Sequence, residues 1–340
     1  GGRKVMAKLS ILGAGGWALG LAILLNNNGH DVTVWSKVKA ELDGIREEGE
    51  NKKSLPGVKI PKEIKLCEDL KTVVADADIV VMAVASPFVR STAKEVASLG
   101  INNIQMVNVA KGIEEDSLMT MTAIIREEIP DVRIAILSGP SHAEEVSRGI
   151  PTTCVIGADS KEYAEYLQNI FMSEVFRVYI SPDVLGIELG GSLKNVIALA
   201  AGIADGLGYG DNTKAALITR GIHEIARLGV AMGGKLQTFY GLSGMGDLIV
   251  TCASMHSRNR RAGILMGQGK SMKEAMDEVH MVVEGVYSAK AAHELSVKYN
   301  IEMPIVDSVN SVLFDNANAS ECVKELMLRD RKIENPDLPW

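Results

Sequence analysis

The run Lys8 to Leu12 leads straight into Gly13-Ala14-Gly15-Gly16-Trp17-Ala18, and from there into an apolar stretch ending at Leu25. Few folds accept that order. The spacing is the G-x-G-x-x-A form of a dinucleotide fingerprint. Gly13 allows the tight turn, Gly15 lets a pyrophosphate approach the backbone, and the small Ala18 lets helix pack closely on strand. The helix N-terminus then turns its unpaired N–H groups toward phosphate. Taken alone the spacing recurs by chance; here it follows a strand and opens a helix.

It also stands first in a series. Apolar strands KLSILGAG, DVTVWS, EIKLC, ADIVVMAVA, IQMVNVA and RIAILSG alternate with helical segments at 17–28, 38–48, 87–99 and 116–128. Several strands are continuous Val/Ile/Leu runs, as expected when helices cover both sheet faces. The pattern predicts an α/β fold with an N-terminal Rossmann-like, doubly wound, mainly parallel sheet. PTTCVIGA and VFRVYI extend the sheet around a helix at 160–171. Ser181-Pro182-Asp183 reads as a break and a helix start, which separates a dinucleotide-binding domain (1–181) from an all-α substrate and catalytic domain (182–340). Beyond the break, apolar residues recur at helical spacing in 184–204, 213–232, 259–267, 271–279, 285–299 and 304–314. GLSGMGD and the GQGKS stretch read as the most flexible loops.

Two domains suit 340 residues of 46% hydrophobic and 23% charged composition. A net charge of −7 argues against nucleic acid or an anionic membrane as the main partner, so any anion site must be a local cluster working against the global sign. Cys67, Cys154, Cys252 and Cys322 are scattered, with no metal-ligand spacing, and read as free thiols in a reducing cytosol. Lys4 and Lys8 before the apolar run 9–25 imitate a signal peptide. The glycine spacing and the polar NNNGHD that follows weigh against export, and no other segment reads as a membrane span. A cytoplasmic protein without membrane insertion is expected. Residues 1–6 stand outside this reading.

Candidate site residues gather at strand ends, where open α/β sheets form their ligand crevice. The second strand ends in Ser36-Lys37 with no acid for a ribose 2′-hydroxyl. Lys37 could take a 2′-phosphate, which leans the cofactor NAD(P)H toward NADP, or it is a solvated loop lysine. Ser86-Pro87-Phe88, Lys111-Gly112 and Ser138-Gly139-Pro140-Ser141-His142-Ala143 follow later strands. The helical half offers Lys194-Asn195, Asp211-Asn212, Asp247 with Thr251 one turn on, and Ser257-Arg258-Asn259. Arg258 fits a phosphate bidentately, although with Arg260 and Arg261 it could equally form a solvated basic face. Lys194, the one charge in GGSLKNVIALAAG, is either a snorkelling side chain or a held amine.

GAGGWA, AKGIE, LSGPSHA, ELGGSLKNVIALAAGIADGLGYGDNTKAALITRG, GLSGMGDLIVTC, SRNR and VVEG occur in this order. Together, from about residue 8 to 325, they resemble the bacterial soluble NAD(P)-dependent glycerol-3-phosphate dehydrogenases. The resemblance implies reversible reduction of dihydroxyacetone phosphate, a phosphorylated triose, to sn-glycerol 3-phosphate for phospholipid synthesis. It implies Lys194 as general acid/base, with Lys111, Asn195, Asp247 and Thr251 around the reacting carbon. Gly139, Ser141, Lys111, Lys194 and Asp247 would meet the substrate, and Ser257, Arg258 and Asn259 its phosphate. Gly16, Trp17, Lys37, Lys111, Ala143, Arg258, Val282 and Glu284 would join Gly13, Gly15 and Ala18 at the cofactor.

This chain departs from the pattern at Gly16 (often serine), Leu19 (commonly threonine) and His142 (often phenylalanine, a packing side chain). The helical domain of such enzymes often dimerises, which allows a homodimer, though no patch in the sequence marks an interface. Partial burial and Lys111 would lower the Lys194 pKa, and Asp247 would oppose that shift. Two other readings are a related β-hydroxyacid dehydrogenase acting on a carboxylate, against which the SRN block argues, and a dinucleotide-sensing module without turnover.

Overall fold

The computed structural model describes residues 6–331 and 333–334; the outer ends of both expected domains lie outside the described residues. Eight strands form one sheet: β1 (Lys8–Leu12), β2 (Asp31–Trp35), β3 (Lys65–Cys67), β4 (Ile79–Met82), β5 (Gln105–Asn108), β6 (Arg133–Ser138), β7 (Thr152–Ala158) and β8 (Phe176–Ser181). Their order is β3-β2-β1-β4-β5-β6-β7-β8, and every neighbouring pair is parallel except antiparallel β6 and β7. The expected doubly wound sheet is therefore present, with its two last strands added by one reversal.

Alternation along β4 shows why the strands read as unbroken apolar runs. Ile79 and Val81 face one buried cluster with Leu9 and Val34, while Val80 and Met82 face another with Trp35 and Met106. Both faces are buried, so polar residues on these strands are few, and Ser10 and Asn108 are buried with hydrogen-bond partners. Each such side chain contributes roughly 1.5–3 kcal/mol on leaving water. Covering these faces are α1 (Gly16–Asn27), α2 (Lys39–Glu48), α3 (Leu70–Ala75), α4 (Val89–Ser98), α5 (Met121–Glu128), the short α6 (Ala143–Val146) and α7 (Lys161–Phe171). The run that imitates a signal peptide is β1 and α1.

From Val184 onward the described chain is helical: α8 (Val184–Gly206), α9 (Asp211–Ala231), α10 (Leu236–Phe239), α11 (Asp247–Ala253), α12 (Arg258–Gly267), α13 (Met272–Val279), α14 (Glu284–Lys298), α15 (Pro304–Phe314) and α16 (Ala319–Leu328). Length and apolar composition would let α8 cross a membrane, contrary to the expectation that no segment other than 9–25 would. Instead 94% of its apolar window is buried inside the protein, as the central helix of the second core. Its backbone touches that of α12. A Cβ on Gly263 would lie 2.3 Å from the Leu199 carbonyl oxygen, and one on Gly202 would lie 2.2 Å from that of Arg260. This close approach brings the N-terminus of α12 against the middle of α8, where Asn259 Nδ2 donates to Asn195 Oδ1 at 3.0 Å.

Two local expectations change. The helix expected over 116–128 starts only at Met121, because residues 113–120 form a loop closed by an Ile113–Thr120 bridge, with Leu118 left-handed at φ 58°. The GLSGMGD stretch is packed rather than loose. It forms one π-helical turn over Leu242–Gly246 with Ser243 and Gly244 buried, and a Cβ on Gly244 would come within 2.0 Å of the Phe239 carbonyl oxygen.

Candidate active site

A cleft of about 480 Å³ runs between the carboxyl ends of the strands and the helical half. Its floor on one side is the fingerprint. Gly13 takes φ 124°, with a Cβ position 2.8 Å from the Ala83 carbonyl oxygen, so the turn excludes any side chain. Gly15 opens onto free space and is the N-cap of α1, which carries no side-chain cap and no acid in its first turn. Those N–H groups suit a pyrophosphate. Trp17 also lines the cleft, and its Nε1 is buried without a hydrogen-bond partner among the described residues. The residues present thus fit a dinucleotide.

The loop after α2 completes this wall, and its sequence carries no known signal. Asn51, buried, donates to the Ala14 carbonyl at 3.0 Å and accepts from the N–H groups of Lys53 (3.2 Å) and Ser54 (3.0 Å). That Asx turn holds Lys53 and Ser54 at the cleft beside Gly16.

Across the cleft lies a compact ionic cluster. Asp247 is the first residue of α11, which continues directly from the π-helical turn over Leu242–Gly246. Lys194 Nζ, on α8, donates to Asp247 Oδ1 at 2.7 Å and to Thr251 Oγ1 at 2.6 Å. Thr251 Oγ1 spends its own proton on the Asp247 carbonyl at 2.6 Å, so it meets the ammonium as an acceptor. Lys111 Nζ donates to Asp247 Oδ2 at 2.5 Å and to the Gly139 carbonyl at 3.2 Å. Each ammonium has three N–H donors. Two on each lysine are engaged, and both lysines line the cleft.

Burial and the neighbouring charges together set the titration of this group. It pushes the Lys194 amine down to about 8; the Asp247 carboxylate opposes that shift and the Lys111 charge reinforces it. Burial would raise the Asp247 carboxyl, but the Lys111 and Lys194 ammonium groups overcome it and leave Asp247 below its ordinary value. The Lys194 side chain is 7% exposed, so the snorkelling alternative does not describe it.

The position of α8 over the sheet follows from its own side chains. Ser192 Oγ donates to the Gly112 carbonyl at 3.1 Å, and Glu188 accepts from Thr122 N at 2.8 Å and from the Thr122 hydroxyl. Both anchors lie on the chain segment that follows Lys111. Sequence reasoning passed over Glu188, a buried acid whose burial raises its pKa against the opposing Thr122 bonds.

At the N-terminus of α12, Ser257 caps the helix by accepting from Arg260 N at 3.1 Å, and Asn259 Oδ1 accepts from Gly285 N at 2.8 Å. Among the described residues no hydrogen bond or ion pair holds the Arg258 guanidinium, which lines the cleft. The three arginines separate: Arg258 and Arg261 reach the cleft, while Arg260 is tied to Asp205 at 2.8 Å and to the Ala253 carbonyl at 2.8 Å. A uniform solvated face is excluded. Glu284 reaches across to the end of β4, accepting from Ser86 N at 3.1 Å and from the Ser86 hydroxyl.

Gly15, Gly16, Trp17, Ala18, Lys111, Ser141, Ala143, Lys194, Asn195, Asp247, Thr251, Ser257, Arg258, Asn259 and Glu284 all line one cleft. Gly13 and Gly139 shape it through the backbone, and Ser141 Oγ donates to the Gly139 carbonyl at 3.0 Å. Val282 is half-buried beside the lining residues Met281 and Glu284 without lining the cleft itself. Lys37 stands outside it, and Asp211 and Asn212 open α9 on the exposed surface. His142 lines the cleft as the N-cap of α6, its ring centroid 5.8 Å from that of His256. Burial, with the Lys194 charge, holds His142 below the ordinary histidine value.

Residues 8–164 match the family described as NAD-dependent glycerol-3-phosphate dehydrogenase N-terminus, and residues 183–324 match its C-terminus. A glycerol-3-phosphate dehydrogenase [NAD(P)+] of Fusobacterium nucleatum subsp. nucleatum is 61% identical over 331 residues, covering 97% of this chain and 99% of the relative. One of the same name from Agathobacter rectalis is 57% identical over 335 residues, covering 98% and 100%. The crystal structure of glycerol-3-phosphate dehydrogenase from Coxiella burnetii superposes with a TM-score of 0.92 at 35% identity, covering 95% of this chain and 99% of that one. The chain belongs to the NAD-dependent glycerol-3-phosphate dehydrogenase family.

Proposed function

We propose that this enzyme reversibly reduces dihydroxyacetone phosphate to sn-glycerol 3-phosphate in the cytoplasm, with Lys194 as the general acid and base. The observation that carries the assignment is the Lys194 ammonium itself: buried, two of its donors fixed, its pKa near 8, and lining the cleft that the fingerprint also lines. When bound at the fingerprint, the nicotinamide dinucleotide supplies the hydride for reduction and takes it up in oxidation.

The chain's own residues manage the proton and the charge. As the substrate carbonyl accepts hydride, its oxygen gains negative charge. The third N–H of Lys194 hydrogen-bonds that oxygen and then passes it the proton, leaving a neutral amine; in oxidation the amine takes the proton back. Lys111, held by Asp247 and Gly139, lines the same cleft with one N–H left over. Two ammonium groups on one carboxylate leave the cluster cationic, which suits a phosphomonoester carrying about −2 charge. Arg258, with the α12 N-terminus behind it, binds that phosphate.

Oxidation of glycerol 3-phosphate requires neutral Lys194, so kcat/KM in that direction should rise as pH climbs through about 8. Lys111→Met removes a cation that depresses this pKa and frees Asp247 to act on Lys194 alone. Both changes stabilise the ammonium, so the midpoint should move upward. A pH–rate profile checks this, and an unchanged or lowered midpoint would contradict the assigned electrostatics. The substrate class is tested by NADH and NADPH oxidation with dihydroxyacetone phosphate against 2- and 3-oxoacids. The triose phosphate should support turnover, and a preference for an oxoacid would overturn the reading.

A further inference from the structure

β2 ends at Trp35, whose carbonyl accepts from Gly13 N at 2.7 Å, so Ser36 and Lys37 stand beside the fingerprint turn. In sheets of this kind that strand end meets the adenosine ribose, where an acid accepts from the 2′-hydroxyl and a cation takes a 2′-phosphate. The strand end of this chain carries no acid of its own, yet the fold delivers two. Glu41, in the first turn of α2, accepts from Ser36 Oγ at 2.7 Å, and Ser36 Oγ accepts from Val38 N at 3.1 Å. Glu95, on α4, forms an ion pair with Lys37.

Resting on the NAD(P)-dependent reading above, we propose that Glu95 is a cofactor-selecting residue, which pairs with Lys37 and withholds that cation from a 2′-phosphate. A 2′-phosphate carries about −2 charge and must displace the Glu95 carboxylate from Lys37, then remain close to it. A ribose 2′-hydroxyl is neutral and meets no such competition, while the Ser36–Glu41 pair keeps acceptor oxygens at the strand end. Glu95 therefore shifts the balance toward the unphosphorylated dinucleotide. A bare reading of the sequence after β2 misses this, because Glu95 lies 58 residues from Lys37.

Calorimetric dissociation constants for NADP+ and NAD+ on the full chain test the proposal without any triose substrate. A failure of the substrate assignment would leave this result unaffected. An exposed pair of this kind is worth up to about five-fold in affinity. Glu95→Gln, a half-exposed helical position, should tighten NADP+ by about that factor while NAD+ stays within about two-fold. In the Lys37→Ala background the same substitution should change NADP+ affinity by less than about two-fold, since the pair is already broken. An unchanged NADP+ to NAD+ ratio in Glu95→Gln overturns the proposal, as does full tightening that persists without Lys37.

Discussion

Lys194→Ala should lower kcat for reduction of dihydroxyacetone phosphate by about 10³-fold, within the range measured for loss of a general acid. The substitution removes the proposed proton donor and one of two cations on Asp247. The Asp247 carboxylate keeps Lys111 at 2.5 Å, so it is not left buried and unpaired, the condition under which breaking such a pair would cost about 3–5 kcal/mol. The fold should therefore survive. Dinucleotide affinity should stay within about two-fold, because the fingerprint turn, the uncapped α1 N-terminus and the Asn51 loop belong to the other wall of the cleft. A loss confined to kcat identifies an interaction made in the transition state, whereas a parallel loss of cofactor binding would make Lys194 a structural residue.

Arg258→Ala should act on a different constant. Its guanidinium is the cleft-lining arginine at the α12 N-terminus, and no carboxylate among the described residues neutralises it through an ion pair. Hydrogen bonds to charged groups contribute about 1.5–3 kcal/mol, so loss of a phosphate fork should raise KM for the triose phosphate by roughly 10- to 100-fold. Arg258→Lys keeps the charge but loses the planar fork and should fall between wild type and alanine. Steady-state KM values check this. An unchanged KM in the alanine variant would place the phosphate elsewhere along the cleft, beside Lys53 or Arg261.

The sheet was legible because its chemistry is one-dimensional. Alternating burial on two covered faces forces continuous apolar strands, and a glycine turn with φ 124° must be glycine wherever it occurs. The reversal between β6 and β7 was not legible, since a strand reads the same in either direction. Motif residues from both halves line one cleft, yet what holds them came mostly from residues without motif signal. Gly202 and Gly263 let α8 and α12 touch and seat Asn259 on Asn195. Asn51, Glu188 and Ser192 looked like ordinary polar residues, and only long-range contacts give them positioning roles. The lysine that looked misplaced in an apolar helix has its explanation on a separate helix, in Asp247 and Thr251.

The most direct test of the central claim is a single-turnover measurement of NADH consumption by the wild type and Lys194→Ala, both saturated with cofactor and dihydroxyacetone phosphate. The variant should bind NADH normally and consume it about 10³-fold more slowly. A variant that binds NADH and consumes it at nearly the wild-type rate would contradict that claim.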